Sequence, residues 1–360
     1  MKRFFSLLII TTILSIFITG CVANSGAEDK KISTTVNEDS KDSLPKEETP
    51  KYTVNDFLPK KEDLKLTFAG GFENAGEEVY VEYLKDDKAQ VKTINAGAVT
   101  SSIYEVQKDA LVLSFISEDN TIKKELFSKV SNSKEALLCN PIKEGSTWKD
   151  GTKTRVITAV DVSIEIPAGY FAAVEVTTST DEYTQKDYYV KDLGRVKTIF
   201  ETNGSTFITE LKSIEENTKL IANYRFFYMD IVNDKNYYIE EAIEELQEEE
   251  LQDIIIDKLY NPPSNNYVKL AEGVTINSIS ILDDKDYIHI DISSDFQEKM
   301  NFGVSAETGF LSALTNTLGF NYGLEKVMVT LDGKPYSSGH LYLEAGETFT
   351  VDISNYIPKK

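Results

Sequence analysis

The chain has 360 residues, a net charge of -21 and 41% hydrophobic content, enough for two or three domains with genuine cores. So acidic a balance excludes nucleic acid as a partner, because phosphate binding needs a basic patch. It also keeps the bare chain off anionic lipid unless something anchors it.

The first segment supplies such an anchor. Met1-Lys2-Arg3 is a basic start, and residues 4–17 are an apolar stretch broken only by Ser6, Thr11, Thr12 and Ser15. Ile18-Thr19-Gly20-Cys21 follows. A basic start, an apolar core and small residues before a cleavage point read as a secretory signal, its apolar run short of the roughly 20 residues a bilayer span needs. The four residues ending at Cys21 resemble the lipobox of bacterial lipoproteins. That resemblance implies diacylglyceryl attachment at Cys21, palmitate-type chains, and a membrane-anchored protein on the extracytoplasmic face. Two acyl chains make a stable anchor where one is marginal. Residues 22–51 are polar and charged, with Pro45 and Pro50, and read as a disordered tether with a reach of roughly 30 Å.

Residues 52–214 read as strand after strand. Leu64 to Phe68, Val79 to Leu84, Gln90 to Ile94, Ser102 to Val106 and Leu111 to Ile116 come first. Val156 to Val160, Val162 to Ile166, Ala172 to Val176, Asp187 to Val190, Arg195 to Phe200 and Thr206 to Leu211 follow. Turn signals every ~8–12 residues predict an all-β antiparallel curved sheet or half-barrel. Cys139, in the apolar run Ala136-Leu137-Leu138-Cys139, reads as buried and unreactive. Gly145-Ser146-Thr147-Trp148, Pro167-Ala168-Gly169-Tyr170 and Gly194-Arg195-Val196-Lys197 together resemble a β-rich module of bacterial cell-envelope lipoproteins. Trp148 is expected to plug one end of the sheet. The other reading makes Trp148, Tyr188 and Tyr189 a face for a lipid, glycan or peptide.

Residues 217–358 change character. Ala222 to Asp230 and Tyr237 to Glu240 read as a strand pair around the turn Asn233-Asp234-Lys235-Asn236. Glu248-Glu249-Glu250 opens a helix carrying Leu251, Ile254, Ile255 and Leu259, which Pro262-Pro263 ends. Ile276, Ile279 and Ile281 lead through a turn at 283–286 into Ile288, Ile290 and Ile292, alternating with His289 and Asp291. Ser305 is the expected N-cap of a helix with Glu307 in its first turn and Phe310, Leu311, Leu314 and Leu318 on its apolar face; Gly319 is the expected stop. Val327, Val329 and Leu331 run into Asp332-Gly333, a hairpin signal.

In order, Leu259-Tyr260-Asn261-Pro262, Gly273-Val274-Thr275-Ile276, Ile290-Asp291-Ile292-Ser293-Ser294, Ala313-Leu314-Thr315-Asn316-Thr317-Leu318 and Val327 to Lys334 resemble a GerMN domain of the sporulation and spore-germination family. The resemblance implies a small α/β unit similar to ring-building motifs and a role in protein interaction, with a partner in the envelope or a sporulation complex and self-association left open. The stretch from Gly319 to Leu324 is longer and more aromatic than a plain connection and reads as a wide turn or a contact loop. The fold class expected for the whole chain is therefore α+β.

No residue pattern points to catalysis, a cofactor or a metal. Gly-x-Ser-x-Gly is missing, and Ser293 and Ser294 lie near His289 only in sequence. The two histidines, His289 and His340, are far apart for a zinc site. Gly70-Gly71 lacks the Lys-Ser/Thr of a phosphate loop. The acidic run from Glu240 to Asp253 lacks the spacing of a calcium loop and reads as a solvated helix face. The expected function is non-enzymatic: a protein-interaction module in sporulation, germination or envelope assembly, with ligand binding by the β-rich region as the alternative.

Overall fold

The computed structural model describes residues 51–118, 122–282 and 286–359. The expected leader, Cys21, nearly all of the tether and the first residues of the 283–286 turn lie outside them. Among the described residues no helix is long and apolar enough to cross a membrane.

The first half is one antiparallel sheet of 12 strands. Its strands are β1 (Leu64–Gly70), β2 (Glu77–Lys85), β3 (Lys88–Asn95), β4 (Val99–Gln107), β5 (Ala110–Glu118) and β6 (Glu135–Cys139). Then come β7 (Thr147–Asp150), β8 (Lys153–Ile166), β9 (Gly169–Ser179), β10 (Tyr183–Val190), β11 (Gly194–Thr202) and β12 (Ser205–Glu216). Two meanders, β1 to β6 and β7 to β12, join where β1 pairs with β12. All eleven expected strand segments lie in strands. The segments at Val156 and Val162 are one long strand, β8, bent by register shifts between Ile157 and Val162. β6 and β7, which no expected segment covers, are short and flank the loop at Pro141.

Those two strands are the ends of the sheet, and side chains bring them together. The indole Nε1 of Trp148 donates to the Ala136 carbonyl at 2.9 Å, and Arg155 bonds the same carbonyl and the Glu135 carboxylate. The sheet thereby curls into a nearly closed half-barrel without a backbone seam. Val54, Phe57, Leu111, Leu138, Ile157, Val174, Tyr189 and Trp148 fill one end, and Cys139 is buried with them. Leu64, Leu66, Phe68, Val81, Val91, Val196 and Leu211 form a second cluster. Burying each large apolar side chain contributes roughly 1.5–3 kcal/mol.

The second half holds two small sheets around one helix. β13 (Ile221–Asp230) pairs with β14 (Lys235–Glu244), and β20 (Tyr356–Pro358) adds to β14 in parallel. β15 (Ile276–Leu282), β16 (Tyr287–Ile292), β17 (Lys326–Leu331) and β18 (Lys334–Pro335) lie in order in the other sheet, with β19 (Phe349–Thr350) also on β17. Helix α1 (Glu248–Tyr260) begins where Gln247 N–H donates to the Glu250 carboxylate at 2.9 Å. Helix α2 (Phe296–Met300) is a single turn the sequence did not announce. Helix α3 (Val304–Tyr322) crosses from β16 to its parallel neighbour β17, the βαβ arrangement that parallel strands require. Ile288, Ile290 and Ile292 are all buried while His289 and Asp291 are partly exposed, as the alternation predicts. They share a core with Tyr224, Phe226, Leu251, Ile255, Leu311, Leu314, Leu318 and Val329.

Candidate interaction surfaces

The stretch from Gly319 to Leu324, expected as a wide turn or a contact loop, is mostly the end of helix α3. Gly303, not Ser305, is the N-cap, and the helix runs through Gly319 to end at Gly323, whose φ of 66° is the left-handed C-cap conformation. Residues 319–322 are therefore helix rather than turn, and Gly319, Asn321 and Tyr322 are buried. Gly319 does not stop the helix. It admits a close neighbour: a Cβ there would sit 2.1 Å from Val351 Cγ2 and 2.6 Å from the Leu324 carbonyl oxygen.

The polar side chains of this stretch turn inward. Asn321 accepts from Arg225 N–H at 2.9 Å and donates to the Arg225 carbonyl at 2.8 Å. Thr317 Oγ1 accepts from Phe227 N–H at 3.0 Å. Together they act as a substitute strand for the edge of β13 that β14 does not cover. Asn316 does the same for Asp352, accepting from its N–H and donating to its carbonyl at 2.8 Å each. The pattern Thr317…Asn321, four apart inside an apolar helix, was the available clue. It marks hydrogen bonding within the fold, not a surface for a partner.

Other polar side chains described in this half also bond within the fold, some of them at its surface. Asp291 accepts from Thr330 at 2.5 Å, Gly333 N–H at 2.7 Å and Asn277 at 2.8 Å. Desolvation pushes its carboxyl up, but these hydrogen bonds outweigh that and hold it below the ordinary carboxylate range. Asp332 accepts from Ser294 N–H at 3.0 Å, which tightens the turn after β17. Glu307, buried in the first turn of α3, accepts from Tyr336 at 2.8 Å and lies 2.9 Å from His340 Nδ1. His289 bonds Thr330 Oγ1 at 2.8 Å, and Ser293 Oγ accepts from Thr275 N–H at 3.0 Å. Serine and imidazole are thus bonded to other partners rather than to each other. Among the described residues no cluster of His, Cys, Asp and Glu could hold a metal ion.

The acidic run from Glu240 to Asp253 is not simply solvated. Glu240 pairs with Arg225 at 2.6 Å, Glu241 with Lys258 at 2.5 Å and Glu244 with Lys219 at 3.1 Å, while Glu245 is buried against Lys92.

Several apolar side chains of the second half stand open among its exposed polar residues. Ile231 and Val232, at the turn between β13 and β14, are 53% and 69% exposed, and Val304 and Tyr342 are comparably open. In the first half, Trp148 plugs the end of the sheet as expected, Tyr189 is buried with it and Tyr188 is buried in the second cluster, so none of the three lines a ligand face. A different aromatic group is open. Phe72, Phe200 and Phe207, with Thr202, Asn203, Ser205 and Thr209, line a recess of about 470 Å³ where the β1–β2 connection meets the β11–β12 turn. Phe72 and Phe207 ring centres are 5.5 Å apart.

Comparison with known proteins places the family signal in the second half. Residues 225–337 match the family described as sporulation and spore germination. No curated protein matches the chain. A crystal structure of a lipoprotein from Parabacteroides distasonis is similar at 13% identity over 44% of this chain and 98% of that one, with a TM-score of 0.30. A Bacteroides fragilis exported protein with a YmcC-like fold is similar at 13% identity, covering 44% of this chain and 99% of its own, with a TM-score of 0.26. The tandem GerMN domains of the sporulation protein GerM from Bacillus subtilis are similar at 15% identity, covering 36% and 46%, with a TM-score of 0.28. Likenesses at this level carry no functional inference.

Proposed function

We propose, from the match of residues 225–337 to the sporulation and spore-germination family, that this chain is an exported, lipid-anchored protein whose second half docks a protein partner in an envelope or sporulation assembly. The family match is the observation that carries this reading. The sequence adds a lipobox-like Cys21 for a diacylglyceryl anchor and a polar tether that holds the folded part clear of the membrane. The second half contributes an α/β body whose described polar clusters bond within the fold, with apolar side chains such as Val232 and Ile231 left outside. That is the make-up of a binding surface rather than a reaction centre. Deleting residues 222–360 is expected to impair sporulation or germination and to remove a partner recovered from envelope extracts by the full chain. Normal sporulation and germination after that deletion, with no partner lost, would reject the reading.

A second reading has one observation of its own, the recess at Phe72, Phe200 and Phe207. Uncharged, with three phenylalanines among its eight lining residues, it suits a small neutral ligand, so the β-rich half would be a ligand-binding module. Phe72→Ala would weaken such binding while leaving partner docking intact.

A further inference from the structure

The two halves meet across a small group of buried charges. Residues 122–126, between β5 and β6, leave the large sheet and enter the second half. Ile122 belongs to the second core, Lys123 N–H donates to the Leu246 carbonyl at 2.9 Å, and Lys123 and Gln247 form a parallel bridge. Gln90 of β3 fixes the other side, donating to the Lys124 carbonyl at 2.7 Å and to Glu82 at 2.8 Å and accepting from Leu126 N–H at 2.8 Å. Beside it lies Lys92, its side chain 0% exposed. Its ammonium is 3.2 Å from the Ile122 carbonyl, 3.1 Å from Glu82 Oε1, and bonded to the carboxylate of Glu245 just past β14. The Glu82 and Glu245 side chains are each 3% exposed.

Two desolvated carboxylates on one ammonium carry excess negative charge if both ionise, and one proton held between them removes it. Among the described residues, no second cation is paired with the two carboxylates. Tyr83 on β2 and Tyr224 on β13 are neutral phenols, burial pushing each up to about 12. Glu125 on the crossing segment and Glu250 on α1 add negative potential. The ammonium of Lys123 lies 3.7 Å from Asp63 and 5.0 Å from the centre of the Tyr83 ring, and that of Lys124 lies 3.9 Å from Glu248.

We propose that Glu82, Lys92 and Glu245 form a proton-dependent latch between the large sheet and the second half, in which one proton on Glu245 keeps the halves docked and its loss loosens them. Burial, opposed by Lys92 and reinforced by Glu82, raises the Glu245 carboxyl from 4.5 to about 7. The docked form therefore binds this proton more tightly than the separated form does. The stabilisation is complete below the free carboxyl value of 4.5 and is lost as pH rises through about 7. One linked proton makes the docking equilibrium fall about tenfold between pH 6 and pH 8.

Amide hydrogen exchange on the full chain tests this, with rates corrected for the intrinsic pH dependence. In the unaltered protein, protection of segments 122–126 and 244–247 is expected to fall about tenfold from pH 6 to pH 8. Glu245→Gln cannot ionise and is expected to keep its protection across that range. Glu82→Gln is expected to flatten the profile in the same way and decides the matter if the first variant does not fold. An unchanged profile in the unaltered protein, or a tenfold fall that persists in the folded variants, overturns the latch.

Discussion

The two halves solve the same problem, the exposed edge of a sheet, by opposite means. The large sheet brings its two ends together: Trp148 and Arg155 carry β7 and β8 to the Ala136 carbonyl, so a pair of edges becomes a side-chain seam. The second half leaves its sheets small and covers β13 with Thr317 and Asn321 from α3. The first arrangement depends on one large aromatic residue and a buried arginine beside it. The second depends on polar side chains buried inside a helix, and there they are structural. The difference teaches that polar residues in a family-matched region are not thereby its binding residues.

The comparison can be broken in order of expected effect. Trp148→Ala removes both a buried aromatic and the indole donor, and about 3–5 kcal/mol is expected to be lost, read by chemical denaturation. Because Trp148 is the one tryptophan, its fluorescence in the unaltered protein reports the large sheet alone. A loss below 1 kcal/mol would show that the seam does not hold the half-barrel together.

Asn321→Ala strips partners from both the N–H and the carbonyl of Arg225, and about 3 kcal/mol is expected. Increased amide exchange along β13 with β11 and β12 unchanged would confirm that the helix substitutes for a strand. Glu307→Gln retains shape but loses a buried carboxylate, a change of about 2 kcal/mol at neutral pH. Desolvation pushes the Glu307 carboxyl up, but hydrogen bonds from Ser338, Tyr336 and His340 outweigh it and hold the group below its ordinary 4.5. Its stabilisation is present above pH 4.5 and is lost as pH falls through the depressed folded value, so the variant and the unaltered protein are expected to converge in acid. That window lies on the other side of 4.5 from the one set by Glu245. Glu240→Gln breaks a partly exposed pair with Arg225 and is expected to change stability by less than about 0.5 kcal/mol.

The same contrast explains what could be read from sequence. Strands of alternating residues such as Ile288-His289-Ile290-Asp291-Ile292 were legible because one buried face writes a period of two. β6 and β7 were not, since a strand of five residues and one of four around Pro141 show too little alternation. The end of α3 was misread because glycine is read as a stop, whereas Gly319 answers the close approach of Val351, a residue far along the chain. The junction was illegible for the same reason: nothing local to Lys92 announces Glu245, and their pairing exists only once both halves are folded.

Site-specific photo-crosslinking in producing cells measures the central claim most directly, with the crosslinker placed in turn at Val232, on the second half, and at Phe72, at the recess. The reading predicts one protein adduct from Val232 and none from Phe72. An adduct from Phe72 alone would contradict it and move the docking function to the β-rich half.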